Sequence, residues 1–149
     1  MRNFAILGIG ALMTLGACAQ SGVDGALPQS PVITMAGVRL DQPLSVMGTE
    51  PFWHIRIADG EMVLSRPDGG RPVARYQTVT LSGGKAVLPG RDAQGQSVEI
   101  TLMPVDCSDG MSDRTYPLTA KVQWGDVQLS GCAASTEALQ RSGESGRVS

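Results

Sequence analysis

No run of lysine or arginine occurs in this 149-residue sequence, which has 12 basic and 14 acidic residues. A nucleic-acid partner is therefore not expected, because contact with a phosphate backbone needs a clustered basic surface. Histidine is also scarce, and the single His54 leaves few ligands for a zinc site. The apolar run from Phe4 to Leu15 is too short for a membrane-spanning helix, which needs roughly 20 residues.

The N-terminus instead has the pattern of a secretory signal peptide. Arg2 precedes the apolar run, and small residues lead up to Cys18. The segment Leu15-Gly16-Ala17-Cys18 resembles the lipobox of bacterial lipoproteins. This resemblance implies cleavage after Ala17 and attachment of acyl chains such as palmitate to Cys18, which would bind the mature chain to a membrane. By the sorting rule of such lipoproteins, Ala19 indicates the inner leaflet of the outer membrane, with the domain facing the periplasm.

Three cysteines are an odd number for an exported protein. If Cys18 carries lipid, Cys107 and Cys132 remain as an even pair in an oxidising compartment, and we expect a disulfide between them. In the chain-entropy model, closing a loop of this length contributes about 3.5 kcal/mol. The alternatives are two buried free thiols, which suit a cytosolic protein, and a zinc site, to which the chain adds only one histidine.

Composition divides the chain into four parts. Residues 1–17 are the predicted signal peptide, and residues 18–31 are predicted to be a lipidated N-terminus and flexible linker, rich in Gly, Ser, Gln and Pro. Residues 32–134 are predicted to form an all-β periplasmic domain. Residues 135–149 contain one weak apolar pair and are predicted to be a disordered tail, with a short helix capped by Ser135 as the alternative.

Apolar and polar residues alternate through the domain with the period of two that is typical of β-strands. The alternation is clearest in Phe52–Ile57 and Gln96–Met103, and Asp59-Gly60 and Gly125-Asp126 indicate hairpin turns. Further strands are predicted at Leu44–Met47, Glu61–Ser65, Arg75–Leu81, Lys85–Leu88, Thr115–Trp124 and Val127–Cys132. About seven short strands at this spacing predict a small antiparallel barrel or sandwich.

Two segments are unusual: Gly48-Thr49-Glu50-Pro51-Phe52-Trp53, and Cys107-Ser108-Asp109-Gly110-Met111-Ser112-Asp113-Arg114-Thr115-Tyr116-Pro117 with Gly131-Cys132-Ala133 downstream. Together they resemble a family of small, largely uncharacterised lipoproteins and predicted membrane proteins of Gram-negative bacteria, over most of residues 44–133. The resemblance implies an envelope location. It implies no catalytic residue, since that family has no established activity. Such domains are sometimes grouped loosely with heat-shock and lysozyme-inhibitor lipoproteins of similar size.

The loop from Asp106 to Arg114 combines three carboxylates and two hydroxyls with a glycine. The first hypothesis is an ordered turn in which Asp and Ser side chains cap backbone amides, Arg114 pairs with an aspartate and Cys107 pins the loop to the last strand. The second is a partner-binding loop formed by Ser108, Asp109, Met111, Ser112, Asp113 and Arg114. The third is a site for a hard cation such as calcium, although the spacing differs from that of an EF-hand.

Few residues suggest an enzyme, and we predict no catalytic residue, metal or cofactor. His54 is the only obvious general base near neutral pH, and no Gly-x-Ser-x-Gly motif accompanies it. We expect it on the half-exposed face of its strand, opposite Trp53. Glu50 and a loop aspartate would make a glycosidase pair only if the fold brought them together. Trp53 and Trp124 are expected to fill the core.

The leading hypothesis is a non-enzymatic, lipid-anchored envelope lipoprotein whose domain binds or supports an envelope protein or a cell-wall component. One alternative is an inhibitor of lysozyme-type hydrolases that inserts the segment Ser108–Arg114 into its target. The other is a small-ligand carrier, which requires an apolar cavity inside the barrel.

Overall fold

The structure is a computed structural model that describes residues 32–149. Within this range the chain forms thirteen β-strands and one α-helix. The predicted signal peptide, the predicted lipid attachment at Cys18 and the predicted linker lie outside the described residues. No helix in the described part of the chain is long and apolar enough to cross a membrane.

The strands and the helix are numbered in chain order. They are β1 (Thr34–Met35), β2 (Val38–Arg39), β3 (Leu44–Thr49), β4 (Phe52–Ala58), β5 (Glu61–Ser65), β6 (Val73–Tyr76), β7 (Thr80–Ser82), β8 (Lys85–Asp92), β9 (Ser97–Met103), β10 (Asp113–Thr115), β11 (Leu118–Trp124), β12 (Val127–Ser135), α1 (Thr136–Arg141) and β13 (Ser145–Arg147).

Eight of these strands close into an antiparallel barrel. The order around the barrel is β3, β4, β5, β6, β8, β9, β11 and β12, and β12 pairs back to β3. The barrel strands therefore follow chain order, as in an up-and-down meander. This confirms the predicted all-β fold, and of the two predicted architectures it is the barrel.

The hairpin turns have the conformations that their residues indicated. Asp59 and Gly60 both have positive φ, 54° and 78°, as a two-residue primed turn between β4 and β5 requires. Gly125, with φ of 55°, occupies the corresponding place between β11 and β12. These turns match the twist of the flanking strands, which is why so short a connection suffices.

The single strand predicted over Arg75–Leu81 is instead two strands. β6 ends at Tyr76 because it pairs with the second half of β8, where Tyr76 faces Gly90. β7 pairs with the first half of β8, so residues 77–79 must leave the ladder between the two. Gly90 permits the close approach of β6, since a Cβ there would lie 2.6 Å from the Arg75 carbonyl oxygen.

Apolar side chains at alternate positions of all eight barrel strands fill the interior. One residue from each strand, each 0% exposed, illustrates this: Val46, Ile55, Leu64, Ala74, Leu88, Ile100, Ala120 and Ala133. An eight-stranded barrel has an interior just wide enough for side chains. The interior therefore holds a packed core in place of the apolar cavity that a small-ligand carrier needs.

A second buried cluster lies on the outer side of β12. Cys132 and Ala134 alternate with the inward-facing Ala133 and so project to the opposite face of the strand. There they pack with Tyr116 and with Ala138 of α1. The barrel thus has a layer of chain packed against one outer face.

Residues 135–149 form part of this layer, so the prediction that they are a disordered tail was wrong. α1 begins after Ser135, whose hydroxyl accepts a hydrogen bond from the Ala138 amide, so the alternative of a short capped helix is confirmed. Val148 is 0% exposed. The prediction was wrong because so short a helix has little stability of its own, and packing against β3 and β12 supplies what the local sequence does not.

Candidate functional site

The two unusual sequence segments meet at one end of β3 and β4. Residues 48–53 form the end of β3, a two-residue turn at Glu50-Pro51 and the start of β4. The loop of residues 107–114 lies against this turn, and the Thr49 hydroxyl donates a hydrogen bond of 2.9 Å to the Asp109 carbonyl oxygen. Glu50 therefore lies in the hairpin turn between β3 and β4.

A disulfide and two backbone hydrogen bonds close the base of the loop. Cys107 is bonded to Cys132 of β12, with 5.5 Å between their Cα atoms, as predicted. Across the loop, Cys107 and Tyr116 exchange backbone hydrogen bonds of 2.9 and 2.8 Å. Since Cys132 is almost fully buried, the disulfide fixes the loop to the outer face of the barrel.

The Asp109 carboxylate organises the interior of the loop. One oxygen accepts hydrogen bonds from the Met111 and Ser112 amides, at 2.9 and 2.8 Å. The other accepts from the hydroxyls of Ser112 and Tyr116, both at 2.8 Å. Burial acts to raise the pKa of Asp109, but these four hydrogen bonds outweigh it and hold the pKa well below its usual range. The carboxylate is therefore a structural anion whose oxygens are committed to the loop.

The loop serines complete the turn. The Ser108 hydroxyl accepts a hydrogen bond from the Gly110 amide at 3.2 Å, and the Ser112 hydroxyl accepts one from the Arg114 amide at 3.3 Å. The first hypothesis, an ordered turn with Asp and Ser side chains capping backbone amides, is confirmed in this respect.

Arg114 does not pair with a loop aspartate, so that part of the hypothesis is wrong. Its guanidinium donates to the carbonyl oxygens of Gly143 and Ser142, at 2.6 and 3.5 Å, and contacts Glu144. The reason is the parallel pairing of β10 with β13, which brings the C-terminal segment beside the loop. No local feature of the sequence indicates a contact across nearly thirty residues.

The three loop carboxylates lie in separate surroundings and do not surround one point. Asp109 is committed to its own loop, Asp106 forms an ion pair of 2.7 Å with Arg147, and Asp113 is exposed in β10. Among residues 32–149, no group of three or more His, Cys, Asp or Glu side chains is arranged to hold a metal ion. The donor arrangement that the cation hypothesis needs is therefore not formed in this part of the chain.

Both tryptophans belong to the main core, as predicted. Trp53 is 5% exposed and packs where the backbone leaves room for it: a Cβ on Gly48 would lie 2.3 Å from its Nε1 atom. A Cβ on Gly131 would lie 2.0 Å from the Met47 carbonyl oxygen. Trp124 donates a hydrogen bond of 3.2 Å to the buried Asp92. Gly48 and Gly131 occur in the two unusual segments, and close packing explains why a side chain does not fit at either.

Two grooves, each of about 400 Å³, flank the contact between turn and loop. The first is mainly apolar and includes Phe52, Trp53 and Pro67. The second includes Glu50 and Met111. Phe52 is 55% exposed and Met111 is 68% exposed. We call residues 48–52 and 108–111 the docking face.

His54 lies beside the docking face, on the strand face opposite Trp53, as expected. It is half-buried, and burial lowers its pKa. The fold brings Glu50 and Asp109 to the lining of one groove, which the sequence did not indicate. Asp109, however, is not suited to be the general acid of a glycosidase pair, because its pKa is lowered, and both of its carboxylate oxygens already accept hydrogen bonds within the loop.

In comparisons with known proteins, no family model, no curated protein and no solved structure matches the chain. The resemblance to Gram-negative envelope lipoproteins therefore stays a prediction.

Proposed function

We propose that this chain is a non-enzymatic lipoprotein of the bacterial cell envelope that binds a protein partner through the docking face. The observation that carries the proposal is the pair of exposed apolar side chains, Phe52 and Met111, on a turn and a loop that hydrogen bonds and a disulfide hold in place. Large apolar side chains that project from a surface beside a mainly apolar groove are typical of protein–protein contacts.

The order of this loop in the free protein matters because binding is weakened by the entropy lost when an interface becomes ordered. The disulfide, the Asp109 hydrogen bonds and the Thr49 contact already order the loop in the free protein. A partner that binds there does not have to order it again. Of the two charged side chains of the docking face, Asp109 is already satisfied within the loop and Glu50 is exposed to solvent. Because exposed charges contribute little net affinity, apolar contact would supply most of it.

The partner-binding hypothesis changes in one respect. Of the six residues predicted for it, Ser112 and Arg114 direct their side chains into the loop and the C-terminal segment. Met111 is the exposed apolar residue of the loop, and the residue that complements it, Phe52, comes from the other unusual segment. We therefore assign partner contact to Phe52 and Met111.

Site-specific photo-crosslinking in intact cells tests this assignment. A photoreactive phenylalanine analogue in place of Phe52 should give an adduct of defined mass, which the substitution Met111→Asp should abolish. The matched control is the same analogue in place of Leu81, which is also 55% exposed but lies in β7, outside both grooves. Identical adducts at the two positions, or none at position 52, would contradict the proposed surface.

The lipid anchor is tested separately by mass spectrometry of the membrane fraction. We expect the mature chain to begin at Cys18 and to carry additional acyl mass, and Cys18→Ala to abolish both features. An unmodified chain in the soluble fraction would contradict the anchor without bearing on the docking face.

Inhibition of a lysozyme-type hydrolase is the second candidate, favoured by the same rigid loop. A pre-organised projecting loop is what an inhibitor inserts into a cleft, since its backbone changes little on binding. The accessible tip is Gly110-Met111, so Met111→Asp should abolish inhibition, whereas Asp113→Ala should preserve it. Absence of inhibition at about 10 μM protein, a concentration that detects even weak complexes, would remove this candidate.

A further inference from the structure

The methionines of the described residues differ widely in exposure. The sequence has seven methionines, of which five lie within residues 32–149. Met62 is 0% exposed and Met35 is 8% exposed, whereas Met111 is 68% exposed. Met47 and Met103 are intermediate. Only Met111 among these five therefore presents its side chain largely to solvent.

The loop keeps Met111 in this exposed position. Its amide donates to the Asp109 carboxylate, and the disulfide of Cys107 fixes the base of the same loop. These bonds hold the backbone of Met111 at the surface of the loop. The adjacent groove of about 400 Å³ gives a small oxidant access to the thioether.

From this geometry we infer that Met111 is a selective oxidation site, at which a peroxide converts the thioether to a sulfoxide. In this reaction the sulfur lone pair attacks a peroxide oxygen, an S–O bond forms and the O–O bond breaks. Sulfur loses two electrons to the peroxide. The departing hydroxide takes up the hydroxyl proton and leaves as water, so hydrogen peroxide and methionine give methionine sulfoxide and one water.

The modification would change the chemistry of the docking face. A sulfoxide is polar and accepts hydrogen bonds, whereas the unmodified side chain presents an apolar surface to a partner. Oxidation of Met111 is thus expected to weaken partner contact under oxidative stress. This consequence rests on the proposed function, but the selectivity of the oxidation rests on exposure alone.

A time course with hydrogen peroxide and the full-length chain, analysed by peptide mass mapping, tests the selectivity. Met111 should be oxidised at least about tenfold faster than Met62, with Met47 and Met103 between them, because susceptibility follows exposure. In urea the rates should converge, which would attribute the selectivity to the fold. Equal rates in the folded protein, or faster oxidation of Met47 or Met103 than of Met111, would overturn the inference.

The crosslinking assay at position 52 then tests the consequence. Peroxide should reduce the adduct about fivefold in the otherwise unchanged chain and leave it intact in Met111→Leu, which keeps the apolar contact and cannot be oxidised there. Selective oxidation with an unchanged adduct would overturn the regulatory role alone. A missing adduct before oxidation would instead contradict the proposed function and leave the selectivity result standing.

Discussion

Replacing Asp109 with alanine is expected to lower the free energy of unfolding by about 3 kcal/mol. The largest part comes from Tyr116, which is 1% exposed and donates its hydroxyl to this carboxylate. A buried hydroxyl left without a partner costs about 1–3 kcal/mol. The half-buried Ser112 amide adds about 1 kcal/mol. The amide of the exposed Met111 can bond to water and adds little.

Urea-induced unfolding of the full-length chain, followed by tryptophan fluorescence, measures the loss. Asp113→Ala is the matched control, because Asp113 is an exposed carboxylate of the same segment. Its removal should change stability by no more than about 0.5 kcal/mol. In a double-mutant cycle with Tyr116→Phe, we expect a coupling energy of about 1 kcal/mol or more between Asp109 and Tyr116.

Two results would refute this reasoning. A loss below about 0.5 kcal/mol for Asp109→Ala, equal to that of the control, would show that the loop carboxylate does not stabilise the fold. Additive effects of Asp109→Ala and Tyr116→Phe would show that their hydrogen bond is not the source of the loss.

Three further predictions concern the same region. Burial acts to raise the pKa of Asp109, but hydrogen bonds hold it below its value in the unfolded chain. The stabilising effect of the ionised carboxylate is therefore present above about pH 4 and is lost as the pH falls further. Asp109→Asn should flatten the acid dependence of the urea midpoint, and an unchanged slope would contradict this. Replacing Cys107 and Cys132 together by alanine should cost about 3.5 kcal/mol, because the disulfide spans a sequence separation of 25 residues; a urea midpoint equal to that of the oxidised protein would count against it. Gly131→Ala should cost more than about 2 kcal/mol, since its Cβ would overlap the neighbouring strand, whereas Gly143→Ala, with open space around it, should be nearly neutral in the same assay.

The strands were predictable where one face is buried and the other exposed. In β9, Val98, Ile100 and Leu102 are all buried, and the residues between them are not. The same alternation predicted β4 and its half-exposed histidine. It failed over Arg75–Leu81, because the break between β6 and β7 depends on which part of β8 each strand contacts. That is a property of the assembled sheet.

The candidate site was predictable only in part. The loop capping by Asp109 and Ser112 follows from local chemistry, because these side chains bond to backbone amides two or three residues away. The contribution of Phe52 was not predicted. Its place on the docking face depends on the contact from Thr49 to the Asp109 carbonyl, which spans 60 residues and has no counterpart in any local pattern.

The sequence by itself therefore determined the all-β class, the hairpin turns and the pairing of Cys107 with Cys132, because alternation, turn residues and cysteine count are local or compositional properties. Closure of the barrel, the folding of the tail over its outer face and the meeting of the two unusual segments were decided by the tertiary structure. A six-residue helix such as α1 and a single buried Val148 carry too little local signal. Their order comes from burial against strands that lie far away along the chain.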